Sequence, residues 1–352
     1  ALSANSNRLL DRIGLGAELA AAGTVPSELI YRHWRDGRRL VAHPIGRDNA
    51  YRDRFGAPFY CLHRAQLQHI LSSAFGTENL YLARNVTGLR ESRDAITLEF
   101  EDGDRFDADI VVGADGVHST VRAWVTSEEP PVYTRTSGFR GLAPVEALPS
   151  LPDPSALQIW MGPDAHLVNY AIDGALVNFL AVIEGPADWP SNDSTLAAAP
   201  GELAAHFKGW HPALLEMIGA VPQSVRWGLL SQSALRFWSR GRAVLIGDAA
   251  HTMLPHHGQG ANQAVEDAIV LARCLADLPA DAHAEAFDRY QRLRCTRTRI
   301  IQRSSLATSP LLHLPDGPAA TARDVRLAAF PERFGWIHSH DAWSAPIAEP
   351  VT

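Results

Sequence analysis

Long apolar runs, paired cysteines and a surplus of positive charge are what this chain lacks. No apolar stretch reaches the ~20 residues that a bilayer-crossing helix requires, and the first residues carry no signal-peptide pattern. Cysteine is scarce: Cys61, Cys274 and Cys295 form an odd set without metal-ligand spacing. That argues against a disulfide framework and a cysteine-held metal, and sets the expectation of a reduced, cytoplasmic setting with no metal. A net charge of −7 argues against nucleic acid or an anionic membrane as the main partner. There is no internal repeat and no low-complexity tract. A G-x-G-x-x-G loop is missing too. Gly14-Leu15-Gly16 comes nearest, but no strand precedes it and Leu19 stands where the third glycine would be. We read Ala1–Leu19 as a helix ended by those glycines.

What is present describes a globular chain. At 352 residues, with 46% apolar and 20% charged residues, it can bury a sizeable core in one large domain or two. Its most informative stretch is Arg242–Asp267, RAVLIGDAAHTMLPHHGQGANQAVED. Ala243–Ile246 has the length and residue type of a buried strand, broken by Gly247-Asp248. A loop with Pro255, Gly258 and Gly260 follows, and a helical pattern begins at Ala261. Such a strand, glycine loop and fresh helix end suit an anion or polarised ring, because free N–H groups and the macrodipole favour negative charge. Asp248 can accept hydrogen bonds from a ligand's hydroxyls there.

Elsewhere, Tyr31–Leu40 reads as a hairpin about Asp36-Gly37, and Tyr60–Leu71 as a helix start. Asn85–Phe100 alternates and is turned back by Glu101-Asp102-Gly103-Asp104. Asp109–Val112 is a buried strand running into Gly113-Ala114-Asp115-Gly116, with Ser119 and Arg122 on the next helix. Residues 131–230 are richer in prolines and aromatics and hold short β-like runs at Tyr133–Phe139, Ala156–Met161, His166–Ala171 and Ala175–Ile183. Asp173-Gly174 turns the last two into a hairpin. Gly201–Gly219 is helical, broken at Pro212, and the chain beyond 280 is helical. The arginines near 289–303 are interleaved with apolar residues and look like a helix face, not a basic tail.

Three motifs together resemble the FAD-dependent aromatic hydroxylases, the superfamily of para-hydroxybenzoate and salicylate hydroxylases. The first is Gly247-Asp248-Ala249-Ala250-His251, Pro255, Gly258-Gln259-Gly260, Asn262 and Glu266-Asp267-Ala268. The second is Gly113-Ala114-Asp115-Gly116 with Ser119 and Arg122, and the third is His63-Arg64 with Leu67. Ala286–Ser305 is similar to the family's Y-x-x-x-R-x-x-R-T-x-x-I/V-Q, and Phe334–Ala342 to its tail. The resemblance implies an α/β fold: a Rossmann-like FAD-binding domain, a mostly antiparallel substrate sheet and C-terminal helices. It divides the chain into residues 1–130 (FAD-binding, with 31–60 in the substrate layer), 131–235 (substrate), 236–280 (FAD-binding) and 281–352 (helical). It also implies a first βαβ unit of roughly forty residues that the sequence does not show.

The implied cofactor contacts are Arg64, Val86, Asp115, Gly116, Asp248, Pro255, Gly258, Gln259, Gly260, Ala261 and Asn262. Arg64 would reach the cofactor with its fixed fork of donors. The implied reaction uses NADH or NADPH to reduce FAD, and O2 to form a flavin C4a-hydroperoxide that hydroxylates a phenol, benzoate or hydroxypyridine. The expected catalytic positions are Pro255 at the flavin edge, and His256 and His257 as base or carboxylate partner. Trp160, His166, Tyr170 and Asn178 are the pocket candidates, and the expected state is a monomer or homodimer. Two alternatives stay open: an epoxidase or tailoring oxygenase on the same scaffold, and a truncated relative that does not retain FAD.

Overall fold

The computed structural model describes residues 1–346 apart from 128–129, 192 and 222–224. By contacts the chain divides into two units: residues 1–71, 133–229 and 307–340, and residues 72–132, 230–306 and 341–352. The expected border near 130 thus falls at 132/133. Residues 1–71 group with residues 133–229, and the C-terminal residues are divided between the units.

The first unit is built on an eight-stranded sheet. Its centre is an antiparallel meander of Leu157–Gly162, Ala165–Ile172 and Leu176–Glu184, the last of which also pairs antiparallel with Val132–Pro144. Asp173 and Gly174 make the tight turn with φ of 51° and 78°, the left-handed values this kind of hairpin requires. The hairpin Glu28–His33/Arg39–Pro44 extends the sheet, joining Leu157–Gly162 in parallel. The hairpin expected at Tyr31–Leu40 is thus present, its strands running from Glu28 to Pro44.

Alternation sorts the strands into two faces. One face carries Phe139, Ala143, Trp160, Leu167, Val177, Phe179 and Ala181, all fully buried. Phe207, Trp210, Leu214 and Met217, on or beside the helices Glu202–His206 and Pro212–Gly219, complete that core. Pro212 opens the second helix, where its missing N–H costs nothing. The other face holds Leu142, Val168, Tyr170, Asn178 and Leu180, of which Val168, Tyr170, Asn178 and Leu180 are half-buried. Leu312 and Leu327, from the C-terminal helices, join Tyr31 and Met161 in a small cluster on that side.

At the start, the expected single helix is two, Ala4–Arg12 and Gly16–Ala22. Gly14, at φ 91°, ends the first, whereas Gly16 begins the second instead of closing the first.

The second unit pairs Val111–Gly113 with Ala243–Leu245 in parallel, and Ser239–Arg240 extends the pair antiparallel. Beside it, Val86–Glu91, Ile96–Phe100 and Arg105–Ala108 form a three-stranded meander, one strand more than the expected hairpin. The helix Gly260–Ala276 follows the glycine loop, and the 30-residue helix His283–Leu312 runs out of this unit.

Candidate active site

In the second unit both parallel strands run the same way, so their two glycine turns emerge at one end. That carboxyl end is where open α/β sheets bind ligands. Gly113 leads to Asp115-Gly116, and Leu245 leads through Ile246 to Gly247-Asp248.

The first turn is locked by its own side chains. Asp115 accepts from the Ser119 hydroxyl and, through Oδ2, from the Val121 N–H at 3.0 Å. Ser119 caps the helix Thr120–Val125 by accepting the Arg122 N–H at 2.8 Å. Arg122, 6% exposed, then ties the two turns together. It donates to the carbonyls of Val117, Asp248 and Ala249. Burial lowers its pKa, opposed by the nearby charges of Asp115 and Asp248.

The second turn depends on Gly247, whose φ of 59° and ψ of −141° suit glycine alone. A Cβ there would also meet the Ala264 Cβ at 3.2 Å. After the short helix Asp248–His251 comes a 3-10 turn, Pro255–His257, closed by Gly258 at φ 61°. The Gly258 N–H donates to Pro255 O at 2.8 Å, and Asn262 Nδ2 donates to Gly258 O at 2.6 Å. The 17-residue helix Gly260–Ala276 starts here, and the Oε1 of its cap residue Gln259 accepts from Gln263 Nε2 at 3.0 Å. The first turn of a helix presents N–H groups that have no acceptor within the helix itself.

These residues fit a flavin cofactor. A Cβ on Gly116 or Gly258 would meet nothing within 4 Å, and one on Gly260 would meet only the Asp248 carboxylate, 3.8 Å away. Exposed Asp248 thus stands beside an open, side-chain-free helix start. Carboxylate and donors side by side can hold a ligand carrying both hydroxyls and anionic or carbonyl oxygens. Gln259 and Asn262 are buried beneath the loop, and Ala261 is exposed on it.

Of the two histidines, His257 places Nε2 2.9 Å from the Ser304 hydroxyl. Burial pushes its imidazole down to about 4, with Ser304 opposing the shift. His256 is half-buried in the same turn. Val86 begins the strand that lies against the helix Thr120–Val125. Arg64, exposed at the start of the helix Arg64–Phe75, belongs to the first unit, so neither unit by itself joins it to the other cofactor residues.

The four pocket candidates of the first unit do not stay together. Tyr170 and Asn178 are register partners on the half-buried face. Burial, followed by the field of Cys61, pushes the Tyr170 phenol up to about 12, so it is a neutral donor at neutral pH. His166 shares that face but is 1% exposed, its Nδ1 2.8 Å from His313 Nε2. Trp160 points the other way. It is fully buried in the core, donates Nε1–H to Asn169 Oδ1 at 2.9 Å and packs against His211 at 5.1 Å.

Sequence reading missed the packing beneath the loop. Tyr290, Arg294, Thr298, Ile301 and Gln302 share the buried side of the long helix. Gln302 Nε2 donates to Thr252 O at 3.0 Å, and Ser305 Oγ to Leu254 O at 2.7 Å. The signal was present as spacing, since these positions recur every three or four residues.

Glycine turns, helix start and a largely antiparallel sheet elsewhere in the chain are those of the flavin-dependent aromatic hydroxylases. The chain belongs to the FAD binding domain family, which matches residues 1–304. It is 37% identical to 3-amino-4-hydroxybenzoate 2-monooxygenase of Streptomyces cremeus, covering 97% of this chain and 85% of that protein. It is 31% identical to 6-hydroxynicotinate 3-monooxygenase of Pseudomonas fluorescens, over 98% of this chain and 86% of the relative. A solved salicylate hydroxylase substrate complex matches with a TM-score of 0.83 and 26% identity, covering 97% of this chain and 87% of that one. FAD is accordingly its cofactor, and aromatic hydroxylation its class of reaction.

Proposed function

We propose that this protein hydroxylates a small aromatic acid bearing a ring hydroxyl, of the benzoate or pyridine-carboxylate type. The carrying observation is the open space at Gly116, Gly258 and Gly260 beside the Asp248 carboxylate. Asp248 and Asp115 would hold the cofactor's hydroxyl-bearing chain. The open helix start at Gly260 and Ala261 would meet its ring, with Pro255 at the reactive edge. Bound and reduced by NADH or NADPH, FAD supplies the activation of O2, one atom going to the ring and the other to water.

The remaining work falls to side chains. On the first unit's half-buried face, Tyr170 and Asn178 would contact an aromatic acid, beside Val168 and Leu180. His256 would take the proton of the ring hydroxyl. His257 is engaged with Ser304 and is assigned to support of the loop. Trp160 is left out because its side chain belongs to the core. The three cysteines, with no disulfide, fit a cytoplasmic place.

The test is a titration of the FAD-loaded chain with 3-amino-4-hydroxybenzoate and with 6-hydroxynicotinate. One of them should perturb the flavin absorption bands and stimulate NAD(P)H oxidation. If neither does, while a non-aromatic alkene does, the epoxidase reading replaces this one.

A further inference from the structure

Beneath the Gly247–Asp248 turn lies a cluster of charges that the proposed chemistry does not use. Glu266 and Asp267 are fully buried, and Arg294 is 1% exposed. Asp267 is the hub. Its Oδ2 accepts the Gly247 N–H at 2.9 Å and faces His251 Nε2 at 2.5 Å, while Oδ1 accepts Arg294 Nε at 2.7 Å. Arg294 also donates to Glu266 and to Gln263 Oε1, and Arg297 Nε donates to Glu266 Oε2 at 2.7 Å. Tyr290, also within charge range of Asp267, donates its hydroxyl to Leu245 O at 3.1 Å. Burial would raise the Asp267 pKa, but His251, Arg294 and the Gly247 N–H bring it down to about 2. The carboxylates Glu266 and Asp267 likewise outweigh burial and raise the Arg294 pKa.

A buried ion cluster is weak evidence for stability, because desolvation offsets most of its Coulomb attraction. This one has a specific geometric consequence. The Gly247 amide is the hinge of the turn, and its N–H has a buried carboxylate as its acceptor. On the opposite side, Arg122 holds the Asp248 and Ala249 carbonyls. The peptide chain of the turn is thus pinned through its donor by one charge and through its acceptors by another.

We propose that Asp267 is a positioning residue: its carboxylate, kept ionised by Arg294, fixes the Gly247 peptide and so aims Asp248 at the cofactor. The inference rests on the reading that this turn binds FAD. Second-layer partners of this kind commonly govern ligand affinity through the group they orient.

Two measurements on the purified chain test it. One is the hydrogen-exchange protection factor of the Gly247 amide without added ligand; the other is FAD affinity by flavin fluorescence. Both are taken between about pH 5 and pH 8, where wild-type Asp267 stays ionised and both should be flat. In Arg294→Met the buried carboxyl loses its guanidinium and takes up a proton as pH falls. Protection at Gly247 should drop with it, and FAD affinity should fall roughly tenfold or more from pH 8 to pH 5. Arg294→Lys should restore much of the flat profile. Asp267→Asn, which cannot accept from all three donors, should lose protection and affinity at every pH. A folded Arg294→Met or Asp267→Asn protein with wild-type Gly247 protection overturns the proposal. Asp248→Ala separates the two readings: unchanged FAD affinity there would remove the cofactor site, while the Gly247 exchange would still judge Asp267.

Discussion

In the second unit, the groups that would meet a ligand are largely backbone: the start of Gly260–Ala276 and two glycine turns, beside the exposed carboxylates Asp115 and Asp248. In the first unit they are side chains alternating along strands, Tyr170 and Asn178 on one face and the Trp160 core on the other. Backbone groups keep their direction only if something fixes the peptide, and here buried charges do so from Arg122 and Asp267. A sheet face is rigid already, so its specificity can change one side chain at a time.

The largest expected effect tests the backbone-built half. Asp248→Ala should weaken FAD at least tenfold, about 1.4 kcal/mol or more, in a flavin fluorescence titration. An undiminished FAD affinity would mean that the glycine loop is merely structural.

Next comes the division between the faces of the sheet. Trp160→Phe should lower stability by about 1–3 kcal/mol, through lost volume and the unpaired Asn169, and leave ligand affinity unchanged. Tyr170→Phe should do the reverse: a Tm near wild type, and about 1 kcal/mol less affinity for a hydroxylated aromatic acid. Equal effects of the two on ligand binding would break the assignment of faces.

His256→Ala should reduce turnover by roughly 10²-fold, within the range of general-base catalysis, with FAD binding little changed. His257→Ala should act through the loop and loosen FAD instead. If the two variants behave alike, neither histidine is the base.

The smallest effect concerns acid. His257 in one unit and His313 in the other are both lowered to about 4 by burial. The unfolded chain therefore binds protons at these sites below an ordinary histidine value of about 6.5, while the folded chain does not. Stability should fall as pH drops through that window and level off for these groups below about 4. Tm measured against pH should flatten in His313→Gln, and a slope unchanged by that substitution would show the burial to be misjudged.

Much of the second unit was legible because its function needs glycine and acidic residues at fixed offsets. Gly247-Asp248, Gly258-Gln259-Gly260 and Asp115-Gly116 all stand at the turns that their spacing indicates. The sheet strands were legible from alternation, within a few residues at their ends. The facing of Trp160 was not, because a period of two gives two faces without saying which is core; the helices carrying Phe207, Trp210, Leu214 and Met217 decide that. Arg294 was hidden for another reason. Arginines near 289–303 read as a helix face, which does not say which of them turns inward, and Glu266 and Asp267 draw Arg294 inside. A pairing between residues so far apart in sequence leaves no local pattern.

The most direct measurement is product analysis with isotopically heavy O2. The FAD-loaded chain would be given NAD(P)H and 3-amino-4-hydroxybenzoate or 6-hydroxynicotinate, and the aromatic product examined by mass spectrometry. The account predicts one heavy oxygen atom in the ring product and NAD(P)H consumed in step with it. Flavin-bound protein that consumes NAD(P)H yet yields only hydrogen peroxide with every such aromatic acid would contradict it.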